Sequence, residues 1–170
     1  MIKVAKFEKV SFEQFLKDWL DTFGECSQSR VREIYDSISL PKRATKGSAG
    51  YDFYAPITLT IEPGKTLKVP TGIRVRMLED WVLSIYPRSS LGFKFRLQLN
   101  NTVGIIDSDY YNSSNEGHMF IKVTNDTNEN KTVSVEAGQG FAQGIFTQYG
   151  ITEDDDCEGI RDGGFGSTTK

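Results

Sequence analysis

This sequence predicts an all-β fold, a sandwich, jelly roll or β-barrel, with an added helical segment at its N-terminus. Two patterns carry the prediction. From Leu40 onward, short β-branched or alternating runs recur between turn residues, as in closed or double-sheet β architectures. Before Leu40, apolar residues recur at helical spacing instead. The 170 residues suffice for one domain with a substantial core.

In residues 11–23, Phe12, Phe15, Leu16, Trp19, Leu20 and Phe23 fall on one helical stripe. Ser11 and Gln14 have the spacing of a capping box, and Gly24 ends the segment. The stretch "SRVREIYDSI" predicts a second, shorter helix. Pro41, Gly47 and Gly50 then punctuate the chain. The strand-like runs are "ITLTI", "TLKVP", "GIRVRM", "WVLSIY", "FRLQL", "MFIKVTN", "KTVSVEA" and "FAQGIF", with turns such as "EPGK" and "NDTNENK" between them. "TEDDDCEG" reads as a solvated acidic linker to a glycine-rich tail. The chain therefore divides into a helical extension (1–39), a β-rich body (40–150) and a linker with tail (151–170).

Composition narrows the function. A net charge of −3 argues against direct nucleic-acid binding, which needs a basic surface to neutralise phosphates. No apolar run is long enough to cross a bilayer. The N-terminal "MIKVAKFEKV" lacks the apolar segment of a signal peptide, so a cytoplasmic location is expected. Cys26 and Cys157 match no metal spacing and read as reduced, incidental thiols. With His118 as the one histidine, neither a multi-histidine zinc site nor a Ser-His triad is expected.

Five stretches carry residues suited to chemistry. In "GIIDSDYY" (104–111), Asp107 follows an apolar run; Ile105 and Ile106 could partly desolvate it and let it accept a proton from water, or it could simply form a turn. "PRSSLG" (87–92) sets Arg88 before two hydroxyls in a segment read as a loop bounded by Pro87 and Gly92; this suits phosphate oxygens but is also an ordinary surface sequence. "SAGYDFYA" places Asp52 between aromatic residues, and "GQGFAQG" places Gln143 in a glycine-punctuated strand. The tail "RDGGFGSTTK" is either a frayed terminus or a flap. As a flap, Arg161, Phe165 and the following hydroxyls would fold over a flat, anionic ligand.

The order of these stretches adds a resemblance. Residues 49–170 resemble the homotrimeric deoxyuridine triphosphatase (dUTPase) family in five consecutive blocks: "AGYDFYA", "PRSSLG", "NNTVGIIDSDYY", "GQGFAQGIF" and "GGFGSTTK". The resemblance implies a jelly-roll homotrimer that hydrolyses dUTP to dUMP and pyrophosphate with Mg²⁺. It implies that Asp107 is the general base for water attack on the α-phosphorus, and that Asp52 acts on the metal indirectly, through water. Arg88, Ser89, Ser90 and Gln143 would contact phosphates, Ser90 through its backbone N–H. Main-chain groups of a hairpin that includes Gly104 and Ile106, with the Asn101 side chain, would read uracil. Tyr110 would pack on the deoxyribose and leave no room for a 2′-hydroxyl. Phe165 would stack on the base, Arg161 would reach the γ-phosphate, and Gly166 and Ser167 would add phosphate contacts as the tail closes.

Two positions depart from the family pattern. One residue, Asp162, separates Arg161 from Gly-Gly-Phe where two are usual, and Gly140 stands where the fourth block usually has an arginine. "YNSSNEGHM" lengthens the loop after the third block. No block precedes Ala49, so the extension is expected to be dispensable for chemistry. The alternatives are a related dCTP deaminase-like enzyme, or a regulatory nucleotide-responsive protein that holds a partner through the N-terminal helices or the loop 111–119.

Overall fold

The structure, a computed structural model, describes residues 2–161 and Gly163. Three α-helices, one 3₁₀ turn and twelve strands are found among the described residues. β1 (Ala5–Lys9) precedes the two helices α1 (Phe12–Phe23) and α2 (Gln28–Ser37). Then come β2 (Lys42–Arg43), β3 (Tyr51–Tyr54), β4 (Leu59–Ile61), β5 (Thr66–Pro70), β6 (Ile73–Met77) and β7 (Trp81–Pro87). A short helix α3 (Ser89–Phe95) leads to β8 (Leu97–Leu99) and β9 (Gly104–Ile106). A 3₁₀ turn (Ser108–Asn112), β10 (Phe120–Asn125), β11 (Val133–Val135) and β12 (Gly140–Gln148) complete the body.

Every pairing is antiparallel. Five strands form one sheet in the order β2-β3-β12-β7-β9, three form another as β5-β10-β8, and β1-β6 and β11-β4 are two-stranded. Alternation along the strands turns one face inward: Leu59 and Ile61, Val133 and Val135, Leu97 and Leu99 are buried while their intervening residues are exposed. These inward residues join Phe53, Leu83, Ile85, Phe141 and Val123 in the main core.

The extension departs from its expected all-helical character. β1 pairs with β6, setting Phe7 opposite Val75. Phe7 packs against Tyr51, Phe53 and Phe146, with ring centroids 5.4–5.7 Å apart. Its sequence gave no strand signal because "AKFEK" has a single large apolar residue facing the core. The helices then bury Phe12, Phe15, Trp19, Val31 and Ile34 in a second core. Ile38 and Ile57 pack against both cores and join them. Ser11 caps α1 as expected, accepting from the Gln14 N–H at 3.1 Å, and Gly24 ends it. The other half of the box differs: the Gln14 side chain turns to Asp18, and Glu116 takes the Ser11 N–H instead.

"PRSSLG" is also not a loop. Arg88 is the N-cap of α3, and Gly92 lies within that helix. The strand expected over "FRLQL" loses Phe95 to the same helix. No described helix is long and apolar enough to cross a membrane.

Candidate active site

The sheet register assembles three groups of the expected site residues. The first sits at the Pro87 end of β7. Gln143 on β12 lies between Asp52 of β3 and Tyr86 of β7. Its Nε2 donates to the Pro87 carbonyl at 3.2 Å. Arg88 brings its Nε to 3.3 Å from Asp52 Oδ1, and its Nη1 donates to the Gly140 carbonyl at 3.3 Å. Glycine at 140 leaves this approach open; a Cβ there would stand 3.0 Å from Arg88 Nη1 and displace the guanidinium slightly. Where the family pattern sets a second arginine, this chain makes room for Arg88. Ser89 and Ser90 open α3 beside this group; the first N–H groups of a helix have no intrahelical acceptor.

The second group lines a cavity of 380 Å³ beside the turn between β8 and β9, walled by Asn101, Gly104 and Ile106 together with Lys68, Met119 and Phe120. The expected hairpin is not formed, because β8 pairs with β10 and β9 with β7, in different sheets. The cavity surface is mostly apolar with a few polar groups, as suits a flat heterocycle. Sequence reasoning missed Lys68, Met119 and Phe120. Lys68 and Phe120 belong to β5 and β10, and their alternation is indistinguishable from that of ordinary strand residues. The Lys68 ammonium sits 4.4 Å from the Phe120 ring centroid.

The third group follows β9. Asp107 is the N-cap of the 3₁₀ turn, and its carboxylate is half exposed. Ile106 is buried, but Ile105 is 56% exposed, so only one of the two isoleucines expected to desolvate Asp107 turns inward. Arg161 Nη2 donates to Asp107 Oδ2 at 2.5 Å, and its Nε donates to Asp109 Oδ1 at 2.8 Å. The Arg161 guanidinium also lies 5.9 Å from the Tyr110 ring. Tyr110 is buried; its hydroxyl donates to the His118 carbonyl at 2.8 Å and accepts from Asn115 Nδ2 at 2.9 Å. Burial pushes this phenol up, against the pull of the Asn115 hydrogen bond. Phe165, Gly166 and Ser167 lie outside the described residues.

The first and third groups do not meet within one chain. Asp107 directly follows Ile106, which faces Leu83, whereas Arg88 directly follows Pro87, which faces Ala142. The five-residue step from Leu83 to Arg88 separates them by roughly 16 Å of strand. Among the described residues no three histidine, cysteine or acidic side chains cluster as metal ligands.

Comparison with known proteins adds the family. The family model described as dUTPase matches residues 36–169. The deoxyuridine 5'-triphosphate nucleotidohydrolase of Lactococcus lactis is 44% identical over 134 residues, covering 77% of this chain and 88% of that protein. The Chromobacterium violaceum enzyme of the same name is 38% identical over 138 residues, covering 76% of this chain and 87% of that protein. The crystal structure of the Streptococcus mutans dUTPase superposes with a TM-score of 0.62 at 33% identity, covering 86% of this chain and 98% of that one. With the model spanning nearly all of the β-rich body and the tail, the chain belongs to the dUTPase family.

Proposed function

We propose that this dUTP diphosphatase works as a homotrimer whose sites are each completed by more than one copy, with Asp107 as the general base. The separation of Asp107 from Arg88 along β7 carries this reading. A triphosphate held at Arg88 cannot have its α-phosphorus beside the Asp107 of the same chain. A closed ring of three equal subunits gives each phosphate group a neighbour's Asp107.

At such a site, uracil enters the cavity by the β8–β9 turn, where the main chain of Gly104 and Ile106 and the side chain of Asn101 read its edge. A fixed donor and acceptor pattern rejects cytosine because the mismatch leaves buried polar groups unpaired. Tyr110 packs on the deoxyribose and excludes a 2′-hydroxyl. Arg88, Ser89, Ser90 and Gln143 hold phosphate oxygens. Arg161, which lies on Asp107 and Asp109 in the free chain, moves to the γ-phosphate and uncovers the Asp107 carboxylate. Phe165 stacks on the base, and Gly166 and Ser167 close over the phosphates.

Water oxygen then bonds to the α-phosphorus, its proton passes to Asp107, and the bond to the pyrophosphate oxygen breaks, leaving dUMP. Positioning and charge stabilisation supply most of the acceleration in such phosphorus chemistry. The donor set bears on Mg²⁺ as well. Asp52 is a single carboxylate already facing Arg88, which is too few oxygens for a protein-held ion. It does suit an ion held mainly by substrate phosphates, as Mg²⁺ commonly is, with Asp52 acting through water. When bound, the ion neutralises charge on the triphosphate. In a cytoplasmic setting the reaction limits uracil incorporation into DNA and supplies dUMP.

Mixing two impaired variants, assayed at dUTP well below the raised KM of Arg88→Ala, tests the shared site. Trimers of Asp107→Asn and of Arg88→Ala, unfolded and refolded together in equal amounts, should regain about a quarter of wild-type pyrophosphate release, since one site in four draws both intact groups from different chains. No recovery in mixed trimers of normal mass would refute it.

A further inference from the structure

The N-terminal extension and the lengthened loop 111–119 were the two segments that the five blocks left without a role. In the structure they hold each other at three points. Tyr111 donates its hydroxyl hydrogen to Glu8 Oε2 on β1 at 2.7 Å. Glu116 accepts both the Ser11 N–H and the Ser11 hydroxyl at 2.7 Å, at the start of α1. His118 places Nδ1 2.5 Å from Asp18 Oδ2, on the buried face of α1. The surfaces offered above for a regulatory partner are thus turned towards one another.

The third contact is built into the core. His118 is fully buried, and its Nε2 accepts the Gly72 N–H at 2.8 Å. That bond leaves Nδ1 as the nitrogen carrying the proton, so a neutral imidazole donates to the Asp18 carboxylate. Burial raises the Asp18 carboxyl, but the His118 and Gln14 hydrogen bonds outweigh it and hold the group below its ordinary range. Gly72 has φ +71°, and a Cβ there would lie 2.4 Å from Ile38 Cδ1 and 3.3 Å from the Phe15 ring. Backbone, loop histidine and helix therefore interlock at one point.

The loop so held carries Tyr110. The His118 carbonyl accepts the Tyr110 hydroxyl, Asn115 donates to the same hydroxyl, and Ser113 Oγ donates to the Tyr110 carbonyl at 2.6 Å. Met119, the residue after His118, lines the cavity beside the β8–β9 turn. We propose that Asp18, acting through His118, is a positioning residue for dUTP hydrolysis: the N-terminal extension braces the loop that fixes Tyr110 and one wall of the base cavity. Asp18 lies outside residues 36–169 matched by the family model, so the brace is not part of the matched core. The inference rests on Tyr110 facing the deoxyribose, as proposed above.

Steady-state kinetics with dUTP and UTP test it, at temperatures well below the melting point of each trimer. Asp18→Ala should raise KM for dUTP roughly tenfold, leave kcat within about twofold, and narrow the preference for dUTP over UTP, because a loosened Tyr110 excludes a 2′-hydroxyl less well. Tyr110→Phe, which keeps the ring but loses its hydrogen bonds to the loop, should shift the same quantities, and the double variant should be no worse than the stronger single one. A merely structural role would lower the melting temperature and leave KM and the UTP ratio alone; that outcome overturns the proposal. If Asp18→Ala does not fold, the isosteric Asp18→Asn decides, with about a threefold rise in KM expected and an unchanged KM and UTP ratio overturning it. Tyr110→Ala separates the two levels. Unchanged KM and UTP ratio there would refute the placement of Tyr110 at the sugar, whereas a change there without one in the Asp18 variants would refute the brace alone.

Discussion

At the Pro87 end of β7 the candidate phosphate ligand Arg88 is held loosely; in the turn after β9 the candidate sugar residue Tyr110 is held tightly. Arg88 reaches Asp52 and Gly140 at 3.3 Å each, and its side chain is 39% exposed. Tyr110, by contrast, is 5% exposed, with hydrogen bonds of 2.8 and 2.9 Å through its hydroxyl. The difference follows from the ligands. Phosphates bring charge and their own solvation, and a long arginine can follow them as the ion arrives. Discrimination between uracil and thymine, or deoxyribose and ribose, depends on one atom's worth of space and requires walls that do not move.

Asp107→Asn is the harshest test of this contrast. The amide keeps the shape of the carboxylate but cannot take the water's proton, so turnover should fall by about 10²–10⁴ while dUTP affinity is retained. Near wild-type turnover at saturating dUTP would remove Asp107 from the role of base. Deleting residues 161–170 should come next, with sharply weaker catalysis from a trimer whose melting temperature barely moves, because the described core is complete without them. Arg88→Ala should raise KM for dUTP by about 10- to 100-fold, the usual loss for hydrogen bonds to a charged group, with little effect on melting. A comparable loss of thermal stability would instead give Arg88 a structural role through Asp52.

Acid should act on the other end of the molecule. The Ser11 hydrogen bonds hold the Glu116 carboxyl below its ordinary range, outweighing burial, and Asp18 is lowered likewise. Folded values below the unfolded ones mean that this stability is complete above the ordinary carboxylate range, near pH 4, and is lost as pH falls through the folded values. The melting temperature should therefore drop on acidification below about pH 4, and less so in Glu116→Gln, which has already lost that charge. Smallest of all, Gly140→Ala should raise KM for dUTP no more than about threefold, since the added methyl meets only the flexible end of Arg88.

Much of the fold was readable in the chain because it is encoded locally. Strand alternation follows from a side-chain period of two, so "TLKVP" is β5 residue for residue and "WVLSIY" differs from β7 by one. The start of α1 was legible from Ser11 and its end from Gly24, since caps are satisfied within one turn. α3 was not legible: Pro87 and Gly92 look like loop boundaries, but proline before a helix start is tolerated, and one glycine inside a short helix is a modest penalty.

By itself, then, the sequence determined the long elements, their periodicity and the order of the five blocks, all of them properties of neighbouring residues, while β1 and α3 escaped it. Tertiary structure alone decided which polar groups meet. Glu116 completes a helix cap 105 residues away, and Asp18 pairs with a histidine 100 residues on. Neither pair has a sequence signal, because each exists only once β1–β6 and β5–β10 pairing has brought the loop 111–119 against α1. The same register places Asp107 and Arg88 at opposite ends of one strand. Blocks that are close in sequence are thereby held apart in the chain.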